Sequence, residues 1–266
     1  MAGLFQVLRG QPDGTFKKAE VLSGTNGKPL IIPVEGENWI ENICTRPFAV
    51  DWDGDGKLDL VVGNFAGTFY LFKGQGKGKF LPGPEQLKVG DKPLKIEGNH
   101  SDPFVIDWDG DGDLDLLSGS SQGGLQWAEN RAGPGKPPQL QPFRWLIKPS
   151  PPPEGGQVLR DEDLTGPTHA TRIWVDDINS DGKLDVLVGD LVTLVSPADK
   201  LSEKEFKKKY AEWQESFAKA RKELNSTSDD EKTRNEAQRR LQQLYSERSK
   251  FMKEDRTGFV WLYLQK

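Results

Sequence analysis

The sequence predicts an all-β fold of four-stranded antiparallel units, interrupted by one inserted antiparallel α-helical hairpin. Three observations carry this prediction: an acidic segment that occurs three times, 29 Gly and 18 Pro that punctuate short apolar runs, and one segment with helical spacing. Short runs of Val, Leu, Phe and Tyr bounded by glycine are typical of strands and turns rather than of a helical body.

The composition excludes several classes of protein. Hydrophobic residues make up 35% of the 266 residues, and no run approaches the roughly 18 apolar residues of a membrane-spanning helix. The formal net charge of −5 gives no basic footprint for nucleic acid. Cys44 is the single cysteine, which excludes an internal disulfide and a cysteine zinc site, and two histidines argue against a histidine-rich metal site.

Three copies of one segment organise the chain. They are PFAVDWDGDGKLDLVVG at residues 47–63, PFVIDWDGDGDLDLLSG at 103–119 and IWVDDINSDGKLDVLVG at 173–189. In the first copy we predict strands at 48–50, 58–62 and 68–72, then a weaker fourth strand after a glycine-rich turn. Four antiparallel strands per repeat indicate one blade of a β-propeller each, so the chain is predicted to be a partial or few-bladed propeller.

The two ends of the chain echo the third strand of a blade. Residues 3–16 resemble residues 67–80, and residues 257–266 resemble the opening of the same segment. Two interpretations stay open: the chain is a segment of a longer protein, or its first half-blade completes the last blade of a small propeller. The predicted domains are blades at 1–199, a helical coiled-coil hairpin at 200–255 and a returning propeller strand at 256–266.

The hairpin is predicted from a change of period between the second and third strands of the last blade. Apolar residues alternate spacings of four and three, as in a packed amphipathic helix: Phe206, Tyr210, Trp213, Phe217, Ala220 and Leu224. Ser202 with Glu205 forms one predicted capping box, and Ser228 with Glu231 forms a second. The hairpin is either a solvated coiled-coil arm or a surface on which a partner docks.

Each copy contains an acidic loop with oxygen-bearing side chains at positions 1, 3, 5 and 9 and a main-chain carbonyl at position 7. The predicted ligands are Asp51, Asp53, Asp55, Lys57 (carbonyl) and Asp59; Asp107, Asp109, Asp111, Asp113 (carbonyl) and Asp115; and Asp177, Asn179, Asp181, Lys183 (carbonyl) and Asp185. This spacing, with Gly at position 6 for a sharp turn, is that of the start of a calcium loop. An EF-hand is rejected, because position 12 is not Glu and both flanks are strands.

Calcium is favoured over magnesium because four side-chain oxygens and a carbonyl suit the larger coordination shell of calcium. The alternative is a set of exposed turn aspartates without metal, which three matching patterns disfavour. The sequence therefore predicts three Ca²⁺ sites, each a structural clamp on a strand-to-strand corner.

DWDGDGKLDLVVG and its two copies resemble the FG-GAP or VCBS repeat of calcium-binding β-propellers, which also occurs in integrin alpha subunits. The helical hairpin departs from that pattern, as do Asn179 and Ile178 of the third copy. The resemblance implies a secreted, periplasmic or cell-surface protein that works in adhesion, recognition or scaffolding. The amino terminus of the chain shows no signal peptide.

Polar residues that lead into the first strand of each blade form a candidate ligand-binding funnel on the face opposite the acidic loops. They are Arg46, His100, Asp102, His169 and Arg172. Structural hydrogen bonding between blades is the competing explanation for any one of these lead-in residues. Trp52, Trp108, Trp174 and Trp213 are predicted to pack in the core or between blades.

The leading functional hypothesis is a non-catalytic calcium-binding propeller that recognises a protein or carbohydrate ligand, because the chain lacks a phosphate loop and a His/Cys cluster. One alternative is a polysaccharide lyase or hydrolase on the same propeller. The other is an interaction protein that works through the helical arm.

Overall fold

The computed structural model describes residues 4–33, 39–151, 157–226 and 231–266. The chain is mostly β, with several small antiparallel sheets and two α-helices. It divides into two compact units, the first of residues 1–150, 166–191 and 259–266, and the second of 151–165 and 192–258. No helix in the described ranges is both long and apolar enough to cross a membrane.

The first unit begins with a two-stranded hairpin, β1 (Gln6–Val7) and β2 (Glu20–Val21). A short 3₁₀ helix, Trp39–Asn42, precedes the first repeat. Phe5, Leu30 and Ile32 are buried and pack against the first repeat sheet. The predicted third-strand echo at the start of the chain therefore does form a strand.

The first repeat forms a four-stranded antiparallel sheet in the order β3-β4-β5-β8. Its strands and the small hairpins beside it are β3 (Arg46–Val50), β4 (Asp59–Gly63), β5 (Phe69–Phe72), β6 (Gly74–Gly76), β7 (Lys79–Phe80), β8 (Glu85–Gln86), β9 (Lys88–Val89) and β10 (Lys92–Pro93). The three strongest strands match the predicted positions to within two residues. The fourth strand is only two residues long, because the glycine-rich turn first forms the separate β6-β7 hairpin.

The second repeat forms an equivalent sheet in the order β11-β12-β13-β14. Its strands are β11 (Asp102–Ile106), β12 (Asp115–Gly119), β13 (Leu125–Ala128) and β14 (Arg144–Ile147). In both sheets the second strand is fully buried, which matches its continuous apolar sequence.

The third repeat contains β15 (His169–Asp176) and the long strand β16 (Asp185–Pro197), which follow a short 3₁₀ helix at Asp161–Asp163. Residues 186–189 of β16 pair with β15 on one side, and their other edge pairs with a strand from the carboxyl terminus of the chain. Residues 192–197 of β16 belong to the second unit.

The second unit contains α1 (Glu203–Ser226), α2 (Glu231–Arg248) and β17 (Met252–Thr257), which pairs with residues 192–197 of β16. The chain then returns to the third repeat sheet as β18 (Val260–Tyr263). Ser202 and Glu205 exchange hydrogen bonds at the start of α1, which confirms the first capping box. The second predicted capping box includes Ser228, which lies outside the described residues.

Aromatic side chains join the two helices. The indole N–H of Trp213 on α1 donates to the main-chain oxygen of Leu244 on α2, 2.8 Å away. Phe217 and Tyr245 meet edge to face, with ring centroids 5.0 Å apart. The apolar spacing that predicts α1 therefore produces its contact with α2.

The repeat sheets of the first unit stack face to face, because side chains alternate across each strand and both faces are apolar. We call the face that packs against the next sheet the forward face and the opposite one the backward face. Forward faces are formed by Val61, Phe69 and Leu71 in the first sheet, and by Leu117, Leu125 and Trp127 in the second. The forward face of the first sheet contacts Leu116 and Ala128 on the backward face of the second sheet. The forward face of the second sheet contacts Val186 and Val188 on the backward face of the third.

Trp174, predicted to pack in the core or between blades, contacts the ring of Phe104 in the neighbouring repeat sheet but keeps 57% of its surface exposed. Phe48, Phe104 and Trp174 occupy equivalent positions of the first strands, and their rings form a row with centroids 4.9 and 5.7 Å apart. Phe104 has an aromatic neighbour on each side. Trp174 has one on a single side, which explains its exposure.

Candidate metal centres and the arginine cluster

The three acidic loops share one set of main-chain hydrogen bonds. The N–H of Gly at position 6 donates to the carboxylate at position 1, at 2.9 Å for Gly56 and Asp51, and the same bond occurs in the other two loops. The N–H of position 7 donates to the carboxylate at position 5 in all three. Gly56, Gly112 and Gly182 have φ values of 80°, 91° and 85°, which confirms the left-handed turn predicted for position 6.

The aspartate at position 9 has a second partner outside the loop. Asp115 is fully buried, and its carboxylate accepts hydrogen bonds from the N–H groups of Trp108 at 3.1 Å and Asn130 at 2.7 Å. Asp59 accepts the equivalent bonds from the N–H groups of Trp52 and Gly74. Asp185 accepts them from the N–H groups of Ile178 and Gln265. Position 9 therefore ties each loop to the chain that follows the third strand of the same sheet.

Two of the loops gather three carboxylates closely enough to hold a metal ion. In each group one oxygen from every member lies within 4.8 Å of the others: Asp51, Asp53 and Asp55, and Asp107, Asp109 and Asp115. Oδ1 of Asp51 is buried and accepts no hydrogen bond from the described residues, so it is free to bind a cation. Carboxylate oxygens are the ligands that hard divalent cations prefer, and these residues fit such an ion.

The two clusters differ in the charges that surround them. In the first loop, Lys57 Nζ lies 2.7 Å from Asp55 and Lys73 Nζ lies 2.6 Å from Asp53. In the second loop an aspartate, Asp113, stands at the position of Lys57, and Glu129 stands at the position of Lys73. The first cluster is thus partly neutralised by ammonium groups, whereas the second is surrounded by further carboxylates.

The pKa values of the second loop reflect this concentration of charge. Burial raises the pKa of Asp115 to about 6, although the N–H groups of Asn130 and Trp108 oppose the shift. Burial also raises the pKa of Asp109, and the charge of Asp111 raises it further. A divalent cation would relieve this repulsion, since it favours the charged form of every carboxylate around it.

The third loop has the same turn but no such cluster. Among the described residues, no set of one oxygen each from Asp177, Asp181 and Asp185 has all three oxygens within 4.8 Å of one another. The amide of Asn179 donates to Asp181 at 3.1 Å, and Ser180 takes a left-handed φ of 61° where the other loops have Gly. Clusters of three carboxylates thus occur in two loops, and the third ligand set, which includes the amide oxygen of Asn179, stays a prediction.

Other predicted ligands lie outside the two clusters. Asp59 is absent from the first group and Asp111 from the second. The main-chain carbonyls of Lys57, Asp113 and Lys183 stay predicted ligands at position 7.

At the opposite end of the first strands, three of the candidate ligand-binding residues meet. Arg46, Asp102 and Arg172 lie opposite Gly63, Gly119 and Gly189, so they occupy the same position in the three sheets. Arg46 Nε and Arg172 Nε lie 3.8 and 3.5 Å from the carboxylate of Asp102. The cluster holds two guanidinium groups and one carboxylate, and Arg172 is half exposed.

His100 lies beside this arginine cluster. Its main-chain oxygen accepts a hydrogen bond from Arg46 Nη1 at 3.1 Å, and its ring meets Phe65 edge to face. Burial, then the positive charges of Arg46 and Arg172, lower the pKa of His100. The side chain of His169 is exposed at the start of β15 and takes no part in these ion pairs, so four of the five candidates come together.

The residues between these candidates hold neighbouring sheets together. The hydroxyl of Ser101 donates to the main-chain oxygen of Thr68 in the first repeat, and that of Thr171 donates to Gly124 in the second. Both side chains are fully buried. Hydrogen bonding between repeats, the competing explanation for the lead-in residues, therefore occurs at these two adjacent positions.

Sequence reasoning missed Lys73 and Glu129, which set the charge around the acidic loops. The signal was present, because both directly follow the third strand of their repeat. Each comes one residue before the N–H, of Gly74 or Asn130, that donates to the aspartate at position 9. Only the fold shows that this position approaches the loop.

Stacked antiparallel sheets with acidic loops at their corners define a repeat protein with two candidate cation sites. The model of the FG-GAP-like repeat matches residues 51–118 and 107–188, which together span 138 of the 266 residues. The chain therefore belongs to the FG-GAP-like repeat family. Searches of curated proteins and of solved structures gave no significant match.

Proposed function

We propose that this chain is a non-catalytic calcium-binding β-propeller module in which each repeat sheet is one blade. The observation that carries the proposal is the matching geometry of the acidic loops, two of which bring three carboxylates together at a strand-to-strand corner. Calcium is the proposed ion because it accepts a larger and more flexible oxygen shell than magnesium does. Its role is structural: bound calcium would hold each corner in the folded conformation.

The proposed work of the module is recognition, adhesion or scaffolding through the end of the first strands. Arg46, Asp102 and Arg172 converge there on rigid strands, and their formal charges sum to +1. An excess of guanidinium groups favours an anionic group, such as a carboxylate of a protein or carbohydrate ligand. The proposed setting is secreted, periplasmic or cell-surface, where calcium is abundant enough for sites of about 10⁻⁴–10⁻³ M affinity.

The test is thermal unfolding with calcium, with magnesium and with a chelator. A ligand that binds only the folded state adds about 2.7 kcal/mol at a hundred times its Kd, so calcium should raise the melting temperature. We expect Asp55→Ala and Asp109→Ala, one from each cluster, to reduce the calcium shift, and the exposed Asp91→Ala, outside the loops, to leave it unchanged. Equal melting curves in calcium and in chelator would refute the proposal, and an equal shift with magnesium would refute the choice of ion.

A further inference from the structure

The forward face of the third repeat sheet is apolar and exposed. Leu187 and Leu262 lie opposite each other on β16 and β18, the positions that Val61 and Leu71 hold in the first sheet. Leu262 is 49% exposed and Val260 is 72% exposed. Their equivalents are buried: Leu71 and Phe69 at 3% and 0%, and Trp127 and Leu125 at 7% and 0%.

These burial differences follow from what covers each face. The forward faces of the first and second sheets are each covered by the backward face of the next repeat sheet. In the described residues of the first unit no sheet covers the third one, so Trp174 at its first strand is exposed as well. Adjacent exposed apolar side chains on one face are typical of interaction surfaces.

The β1-β2 hairpin exposes the complementary face. Phe5 packs against the backward face of the first sheet, so the hairpin already acts as the sheet that precedes the first repeat. Side chains alternate along β1, and therefore Leu4 and Leu8 point away from that contact. They are 46% and 54% exposed, and Val21 opposite Gln6 is 39% exposed. This is the backward face of the hairpin, and in the described repeat sheets a backward face covers both buried forward faces.

We propose that the forward face of the third repeat sheet binds the backward face of the β1-β2 hairpin of a second copy of this chain. The contact continues the sheet-on-sheet interface that the chain already forms twice, between the first and second sheets and between the second and third. It joins two different surfaces, so the association is head to tail rather than twofold symmetric. In a pair, one copy still has a free backward face and the other a free forward face, so further copies can bind until a ring closes.

The test measures the mass of the chain in solution by sedimentation over a wide range of concentration, in calcium buffer. We expect the wild-type chain to associate as concentration rises. Leu262→Asp removes the forward face and Leu8→Asp removes the backward face, and each variant alone should associate at least about tenfold more weakly, an effect of about 1.4 kcal/mol. Leu81→Asp is the control, because Leu81 is exposed and belongs to neither face.

Mixing the two variants separates head-to-tail contact from other modes. Leu262→Asp keeps the hairpin face and Leu8→Asp keeps the third-sheet face, so the mixture should form one-to-one pairs and nothing larger. A symmetric contact between two third sheets, or pairing of two β18 edges, would leave Leu8→Asp associating like the wild type and would overturn the proposal. A wild-type chain that stays monomeric at every concentration would overturn it too. If Leu262→Asp melts below the wild type, Val260→Glu repeats the test at the adjacent exposed position.

Discussion

The first and second acidic loops have the same backbone hydrogen bonds, but the side chains around them carry opposite charges. Both close through a Gly N–H bonded to position 1 and a buried aspartate at position 9. Around this common turn, the first loop places Lys57 and Lys73 against its carboxylates, whereas the second places Asp113 and Glu129 at those positions. The repeat sequence thus specifies the turn, while neighbouring side chains set the electrostatic field that a cation meets.

A cation should therefore bind the second loop more tightly than the first. In the first loop it must displace two ammonium groups, and in the second it relieves repulsion among carboxylates whose pKa values burial has already raised. The three predictions below test which parts of the two loops are shared and which differ.

The largest expected effect is a fall in the free energy of unfolding when the aspartate at position 9, which both loops share, is replaced. Asp115→Ala leaves the N–H groups of Trp108 and Asn130 without their acceptor in a buried site. Each unsatisfied buried group costs about 1–3 kcal/mol, so we expect unfolding free energy to fall by about 2–5 kcal/mol in chelator. Asp59→Ala should lose a similar amount, as measured by chemical denaturation.

Asp111→Ala is the matched control, because the Asp111 carboxylate lies in the same loop and accepts an N–H from the partly buried Asp113. Its loss should cost less than that of Asp115. If Asp111→Ala were as destabilising in chelator as Asp115→Ala, position 9 would not be the tie between loop and sheet.

The next effect is on cation affinity. Lys73→Gln removes an ammonium group from the first cluster and should lower the Kd of that loop for calcium. Asp113→Asn removes a negative charge from the second loop and should raise its Kd. A unit charge pair at 4 Å in water is worth about 1 kcal/mol, so each change should be roughly three- to tenfold, measured by calorimetric titration.

Asp113→Asn retains an oxygen that can accept the N–H of Gly133, so it isolates charge from structure. The proposed electrostatic difference would be refuted if the two loops bound calcium with equal affinity in the wild type and in both variants.

The smallest effect is expected at Glu129. Its carboxylate already pairs with Arg131 at 2.8 Å and with Arg144 at 3.5 Å, and these guanidinium groups offset its field at the cluster. Glu129→Gln should therefore change the calcium affinity of the second loop by less than about twofold. A change as large as that of Asp113→Asn would mean that Glu129 acts on the cation directly.

The repeat, the positions of its strands and the turn at position 6 could be predicted from the sequence. The alternation of apolar residues places the strands, and glycine at position 6 is required because that residue has a positive φ. The lead-in alignment also identified Arg46, Asp102 and Arg172 as equivalent, and they meet in the structure. Local patterns suffice for these features because each depends on the backbone conformation of a few consecutive residues.

The packing of the sheets determines which oxygens gather, which charges face them and which apolar face stays uncovered. Lys73 is 20 residues from Asp53 in the chain and yet within 2.6 Å in space. Asp59 and Asp115 hold identical positions in their loops, but only Asp115 joins a carboxylate cluster. Trp174 and Phe104 are likewise equivalent in sequence and opposite in exposure. These features could not be predicted because burial and Coulomb energy depend on distances between segments, and the packing of one sheet on the next sets those distances.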